Sequence, residues 1–174
     1  MDKYALRIFQ RETERQCRFA VMAYEDLHNA QQAADMDRFW YSVQSFLVAA
    51  GNVSKLLWPG RPSAHTPERA KELRSSLGVD DSSPLASRTF RNHFEHFDER
   101  LENWATSSKQ KGFADSNVAP AGKILGSNPE DCLRNFDTTK GAVTFRGNEY
   151  ILKPIVDAIL AIHQQALTEV IKVP

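Results

Sequence analysis

The sequence lacks most of the features that disclose a function directly. Lys and Arg total 22 and so do Asp and Glu, giving a formal net charge of zero. A general electrostatic attraction to nucleic acid or to an anionic membrane is thereby excluded, and any such contact has to come from a local patch. With two cysteines, Cys17 and Cys132, there is no dense disulfide framework and no metal-ligand spacing, so both read as reduced and structural. The longest apolar run, Phe46–Ala50, falls far short of the ~20 residues that cross a bilayer. The charged N-terminus has no apolar signal segment either, which makes a cytoplasmic protein the expectation. Gly-rich phosphate loops, serine elbows and paired-carboxylate motifs are missing, and His28, His65 and His163 stand isolated, so neither a metal nor a cofactor is expected.

What is present is an ordinary globular composition, 41% hydrophobic and 25% charged over 174 residues, enough for one domain with a real core. Neither Gly nor Pro interrupts residues 2–33, where Leu6, Phe9, Thr13, Cys17, Ala20, Ala23, Leu27 and Ala30 recur at helical steps. A second helix is expected from an N-cap at about Asp37 to Trp58, burying Phe39, Val43, Phe46, Leu47, Ala50, Val53, Leu56 and Leu57, with Gly51 marking a close helix crossing. Thr66-Pro67-Glu68 opens a short third helix running to about Leu77, and Ser83-Pro84 a fourth running to about Thr106. Residues 107–138 read as a long loop, and residues 142–152 as a hairpin turning at Gly147-Asn148. Pro154 then opens a last helix that buries Ile155, Ile159, Ile162, Ala166, Leu167 and Val170. The expectation is therefore one all-α domain over residues 1–174, an up-and-down bundle of about five helices with a small β-hairpin before the last.

The fourth helix carries the most informative stretch, Arg91-Asn92-His93-Phe94-Glu95-His96. At ~100° per residue, Phe90, Phe94, Phe97, Leu101 and Trp104 form one apolar stripe. Arg88, Asn92, Glu95 and Glu99 then lie opposite, with Arg91 and His96 at the two margins of the polar face. Arginine holds a phosphate through two hydrogen bonds, and histidine titrates near neutrality. Those two side chains lie ~140° apart, so from a single helix they cannot grip one atom, and a complete site calls for a second surface such as a twofold copy. The plainer alternative is a solvated face with a surface ion pair; Arg88-x4-His93 is an overlapping match of the same kind.

Arg91, Asn92 and His96 resemble the Arg-polar-x3-His motif of the HEPN superfamily, and the helical architecture looks similar over most of the chain. The resemblance implies a metal-independent endoribonuclease acting as a homodimer on an RNA substrate. His96 would exchange a proton with the 2′-hydroxyl or the leaving 5′-oxygen, Arg91 would stabilise the phosphate, and Asn92 would position either group. Glu95, His93 and Arg88 are accessory candidates. A toxin or phage-defence setting, with an antitoxin or defence-system partner, is what family habit implies. Asp98 stands where toxins paired with nucleotidyltransferase antitoxins often carry Tyr, so that particular pairing is not inferred. The alternative is a non-catalytic helical dimer that binds a nucleotide, RNA or a protein. Elsewhere, Lys3, Arg7, Arg11, Arg15 and Arg18 line a ~120° sector of the first helix, and Arg7, Arg11 and Arg15 are the candidate RNA contacts.

Overall fold

The computed structural model describes residues 2–60, 66–87, 97–107, 114–120, 123 and 131–172. Its elements are helices α1 (Lys3–Gln32), α2 (Met36–Leu57), α3 (Thr66–Ser76), α4 (Phe97–Ser107) and α5 (Leu152–Val170), a 3-10 turn at Pro84–Ala86, and strands β1 (Asn117–Val118), β2 (Arg134–Asp137), β3 (Ala142–Phe145) and β4 (Asn148–Ile151). The chain divides into two compact units, one of Met1–Arg88 with Ile155–Pro174 and the other of Thr89–Pro154. Among the described residues no helix is long and apolar enough to cross a membrane.

The first unit is built on α1 and α2. The predicted stripe of α1 is buried from Thr13 through Cys17, Ala20, Ala23 and Leu27 to Ala30. On α2, Phe39, Val43, Phe46, Leu47, Ala50, Val53 and Leu57 are buried, as is Gly51. Full burial of a side chain such as Phe46, 1% exposed, removes enough apolar surface from water to contribute about 2–3 kcal/mol. The N-cap of α2 differs from the expectation by two residues. The Asp35 carboxylate accepts from the Arg38 backbone N–H at 3.0 Å, while Asp37 sits in the first turn. Ala34, held at φ 55°, reverses the chain between the two helices. Cap chemistry is legible in sequence, but two aspartates two residues apart both satisfy it.

The far end of α2 is closed by α3. Arg69 donates to the Leu56 carbonyl at 2.8 Å and Arg74 to the Leu57 carbonyl at 2.5 Å, which supplies donors to carbonyls left open at a helix C-terminus. The Arg69 guanidinium also lies 4.4 Å from the centroid of the Phe9 ring on α1, a cation–π contact joining α3 to α1. Gly78, at φ 64°, ends this segment as a left-handed residue where glycine carries no steric cost. On α5 the predicted stripe is buried at Ile155, Ile159, Ile162 and Ala166, but Leu167 is 40% exposed.

The second unit corrects the all-helical expectation: helices dominate the chain, yet four strands form one sheet in the order β1-β2-β3-β4. β1 runs parallel to β2, whereas β2, β3 and β4 are antiparallel neighbours. The span 107–138 is therefore not simply a loop, since it contributes β1, β2 and a bridge between Ala114 and Cys132. The β2–β3 turn is organised by Asp137, whose Oδ1 accepts from the Thr139 N–H at 2.8 Å, the Thr139 hydroxyl at 2.6 Å and the Lys140 N–H at 3.3 Å. Asp137→Ala is expected to cost about 2 kcal/mol by leaving those donors without their acceptor, read as a lower denaturation midpoint; an unchanged midpoint would refute this account of the turn.

The hairpin itself is displaced by one residue. Phe145 pairs with Asn148, so the turn is Arg146-Gly147, with both residues at positive φ, 47° and 79°. A type I′ turn prefers glycine at its second central position, which places Gly147 second rather than first. On β3, Val143 and Phe145 share one face and are buried, as is Ala142 on the other.

Candidate functional site

Arg88, Arg91, Asn92, His93, Glu95 and His96, the motif residues and their accessories, lie outside the described residues. What is described is their immediate context. The predicted fourth helix is not continuous from Pro84, because the 3-10 turn ends at Ser87 in extended backbone, φ −66° and ψ 125°. Helix then resumes in the description at Phe97, one residue beyond His96, as α4.

α4 presents a different line to the sheet from the one its apolar residues predict. Trp104 is 8% exposed and packs in a cluster with Leu133 and Phe145, and its indole N–H donates to the buried Asp131 carbonyl at 2.9 Å. One turn earlier, Arg100 lies close enough to Tyr150 for its charge to act on the phenol; burial raises the Tyr150 pKa and the guanidinium opposes the rise. One turn later, Ser107 accepts from the Arg146 guanidinium at 2.8 Å. Leu101, expected in the core, is 41% exposed. The line with described partners in the strands and their flanking segments is thus Arg100–Trp104–Ser107, rolled roughly 70° from the predicted stripe. Tethering of the indole to Asp131 and of Ser107 to Arg146 sets this roll, and neither partner is visible in the periodicity of the helix.

The same unit holds an ion pair that the sequence does not announce. Arg134 on β2 meets Asp115 through both guanidinium and carboxylate arms, with Nε donating to Oδ1 at 2.9 Å. Burial pushes the Asp115 carboxyl up, but hydrogen bonding and charge from Arg134, together with Ser116, hold it below its ordinary value. This bidentate contact fastens the segment leading into β1 against β2. It occupies Arg134 structurally and leaves Asp115 no role as a proton donor near neutrality.

On α1 the basic sector is used unevenly. Arg7 donates to the Glu169 carbonyl near the end of α5, so its guanidinium is engaged within the fold. Arg15 pairs with Glu12 at 2.9 Å and Arg18 with Glu14 at 3.3 Å, while Arg11 is exposed. Surface pairs of this kind are worth no more than about 1 kcal/mol, so Arg15, with a side chain 55% exposed, can still exchange Glu12 for a phosphate. Of Arg7, Arg11 and Arg15, the last two are exposed and the first is engaged within the fold.

Histidine placement could not be read in advance. His163 on α5 reaches the Glu14 carboxylate at 3.3 Å, joining two residues 149 positions apart. His28 stacks edge-on against Tyr24, with centroids 4.6 Å apart. Cys17, fully buried beside this region, has its thiol pushed up to about 12 by burial and then by the charge of Glu14, which removes it from nucleophilic chemistry at neutral pH. Among the described residues no three His, Cys, Asp or Glu side chains are grouped to hold a metal ion.

A further feature is a groove of about 480 Å³ between α1 and α2, lined by Gln16, Phe19, Tyr41, Gln44, Val48 and Asn52 among others. Its apolar members are well exposed: Phe19 47%, Tyr41 71% and Val48 48%. Asn52 donates to the Gln16 side-chain oxygen across it at 3.1 Å. Comparison of the chain with protein-family models, with curated protein sequences and with solved structures found no match.

Proposed function

We propose that this protein is a metal-independent endoribonuclease of the HEPN type. The observation that carries the reading is the set Arg91, Asn92 and His96 directly preceding α4. In the proposed reaction His96 takes the proton of the 2′-hydroxyl, the 2′-oxygen forms a bond to phosphorus, and the P–O5′ bond breaks. The leaving 5′-oxygen takes a proton from water, the imidazolium formed at His96 returns its own to solvent, and the products are a cyclic 2′,3′-phosphate and a 5′-hydroxyl end. Arg91 neutralises the charge gathered on the non-bridging oxygens, and Asn92 orients phosphate or imidazole. A homodimer supplies the second copy of the motif, and Arg11 and Arg15 give the RNA backbone a weak, salt-sensitive track. Toxin or phage-defence use, with a corresponding partner, is the setting that goes with this chemistry.

The full chain is expected to cleave RNA in EDTA and to leave cyclic phosphate ends. His96→Ala or Arg91→Ala should each lower the rate by about 10²–10⁴-fold, the usual worth of a proton-transfer group or a preorganised charge, with circular dichroism unchanged. Undiminished cleavage in both variants would sink the reading. The second reading, a non-catalytic helical dimer binding a nucleotide, RNA or a protein, is favoured by the exposed apolar groove between α1 and α2. No cleavage under any condition, together with RNA binding that survives His96→Ala, would select it.

A further inference from the structure

Helix α4 lies on the face of the hairpin that carries Phe145, since Trp104 clusters with that ring and with Leu133. Tyr150 stands opposite Val143 across β3 and β4, and cross-strand partners share a face, so the phenol lies on the same side as Phe145. Arg100, Trp104 and Ser107 follow at steps of four and three and make one line along α4. At one end of it Arg100 is close enough to Tyr150 for its charge to act on the phenol. At the other end the Arg146 guanidinium donates to the Ser107 hydroxyl at 2.8 Å. Two cations are thus anchored ~10 Å apart along the helix axis. His96 is bonded directly to Phe97, the first residue of α4, and Arg100 follows three residues later.

Neither cation is neutralised within the described residues. Arg100 makes no hydrogen bond and no ion pair among them, and its Nε is buried without an acceptor. Arg146 meets the neutral Ser107 hydroxyl, and its Nε is also buried and unpaired. The nearby carboxylates are directed elsewhere: Asp98, Glu99 and Glu102 lie about 100–160° around α4 from Arg100, and Glu149 on β4 pairs with Lys140 at 2.7 Å. Arg134 of the same unit shows the contrasting arrangement, with both arms closed on Asp115. A half-buried guanidinium with no carboxylate or carbonyl leaves its desolvation uncompensated, and an anion arriving from solvent supplies the missing acceptor. Both arginines are half-buried, so packing fixes their stems before any ligand arrives. A separation of ~10 Å is too wide for one phosphate, but about three stacked nucleotides of one strand span it at ~3.4 Å each.

We infer that this face of the Thr89–Pro154 unit is a subsite for the phosphate backbone of single-stranded RNA, with Arg100 holding one phosphate and Arg146 another. That the strand is the one to be cut rests on the nuclease reading; the cation pair does not. The measurement is binding of a labelled single-stranded RNA to the full chain carrying His96→Ala, followed by fluorescence anisotropy between about 50 and 200 mM salt. Each phosphate contact on a single strand contributes about −0.7 to the slope of log affinity against log salt. Arg100→Gln and Arg146→Gln should each bring the slope ~0.7 closer to zero and weaken binding about threefold to tenfold. Arg100→Lys, which keeps the charge, should keep the slope. Lost packing alone would lower thermal stability and leave the slope of the folded protein unchanged. Should Arg146→Gln disturb its turn, Arg100→Gln carries the test by itself. Wild-type slopes in the Gln variants, or no affinity for RNA at all, would overturn the inference. Poly-glutamate displacing the RNA at equal charge concentration would assign the pair to an acidic protein and overturn it too. Cleavage by a chain whose slope ignores both arginines sinks the subsite alone, whereas an altered slope in a chain that never cleaves sinks the nuclease reading alone.

Discussion

Trp104→Ala is expected to unfold the Thr89–Pro154 unit. The indole is 8% exposed and clustered with Leu133 and Phe145, so truncating it removes a large buried surface and leaves a cavity, a cost of about 3–5 kcal/mol. It also strips the Asp131 carbonyl of its donor, and a buried acceptor left unpaired adds about 1–3 kcal/mol. The sum approaches the whole stability of a small domain, about 5–15 kcal/mol. Amide hydrogen exchange is the direct measurement: the amides of β2 and β3 should lose their protection. Trp104→Phe, which keeps most of the apolar contact and loses the hydrogen bond, should fall between the two. Protection of the strands at the wild-type level in Trp104→Ala would show that this side chain does not hold the sheet.

The second large effect is alkaline destabilisation through Cys17. In the folded chain its thiol is raised from an ordinary 9.0 to about 12, so below pH 9 both folded and unfolded states carry the proton and this group adds no pH dependence. Between pH 9 and 12 the unfolded thiol ionises while the buried one stays protonated, and stability falls as pH rises. The slope is about 1.4 kcal/mol per pH unit. Urea unfolding at pH 8, 9 and 10 measures it directly, and Cys17→Ala should flatten that part of the profile. An identical slope in the variant would assign the loss to other groups. By the same reasoning a thiol reagent should leave Cys17 untouched in the native protein at pH 8 and modify it after denaturation.

Both predictions fall in places where the legibility of the sequence differs. Cys17 stands in a run of thirty helical residues whose buried positions recur at three and four, and that stripe was readable because the partner helix α2 carries a matching one. Trp104 was readable as a core residue, but its setting was not. The two-residue strand β1 pairs parallel to β2 across 18 positions, Asn117 with Asn135, and β2 itself reads Arg-Asn-Phe-Asp, a composition that strands usually avoid. No local pattern announces such a pairing, because its stability comes from Asp137 capping its own turn and Arg134 holding Asp115. The hairpin slip to Arg146-Gly147 and the exposure of Leu101 have the same origin: several settings are locally acceptable, and contacts from elsewhere in the unit choose among them.

The candidate site divides along this line too. Arg91, Asn92 and His96 are visible as a string, and the amphipathic run to Trp104 predicts a helix there, of which residues 97–107 are described as helical. On α1, Arg7 is drawn onto the Glu169 carbonyl, and a helical-wheel projection carries no information about α5.

By itself, then, the sequence determined the helices of the first unit and their buried faces, because helical periodicity is a local property set by which side chains must leave water. The tertiary structure alone decided the four-stranded sheet, the roll of α4 upon it and the partners of Arg7, His163 and Arg134. Each of these rests on contacts between residues far apart in the chain, whose energies no local pattern encodes.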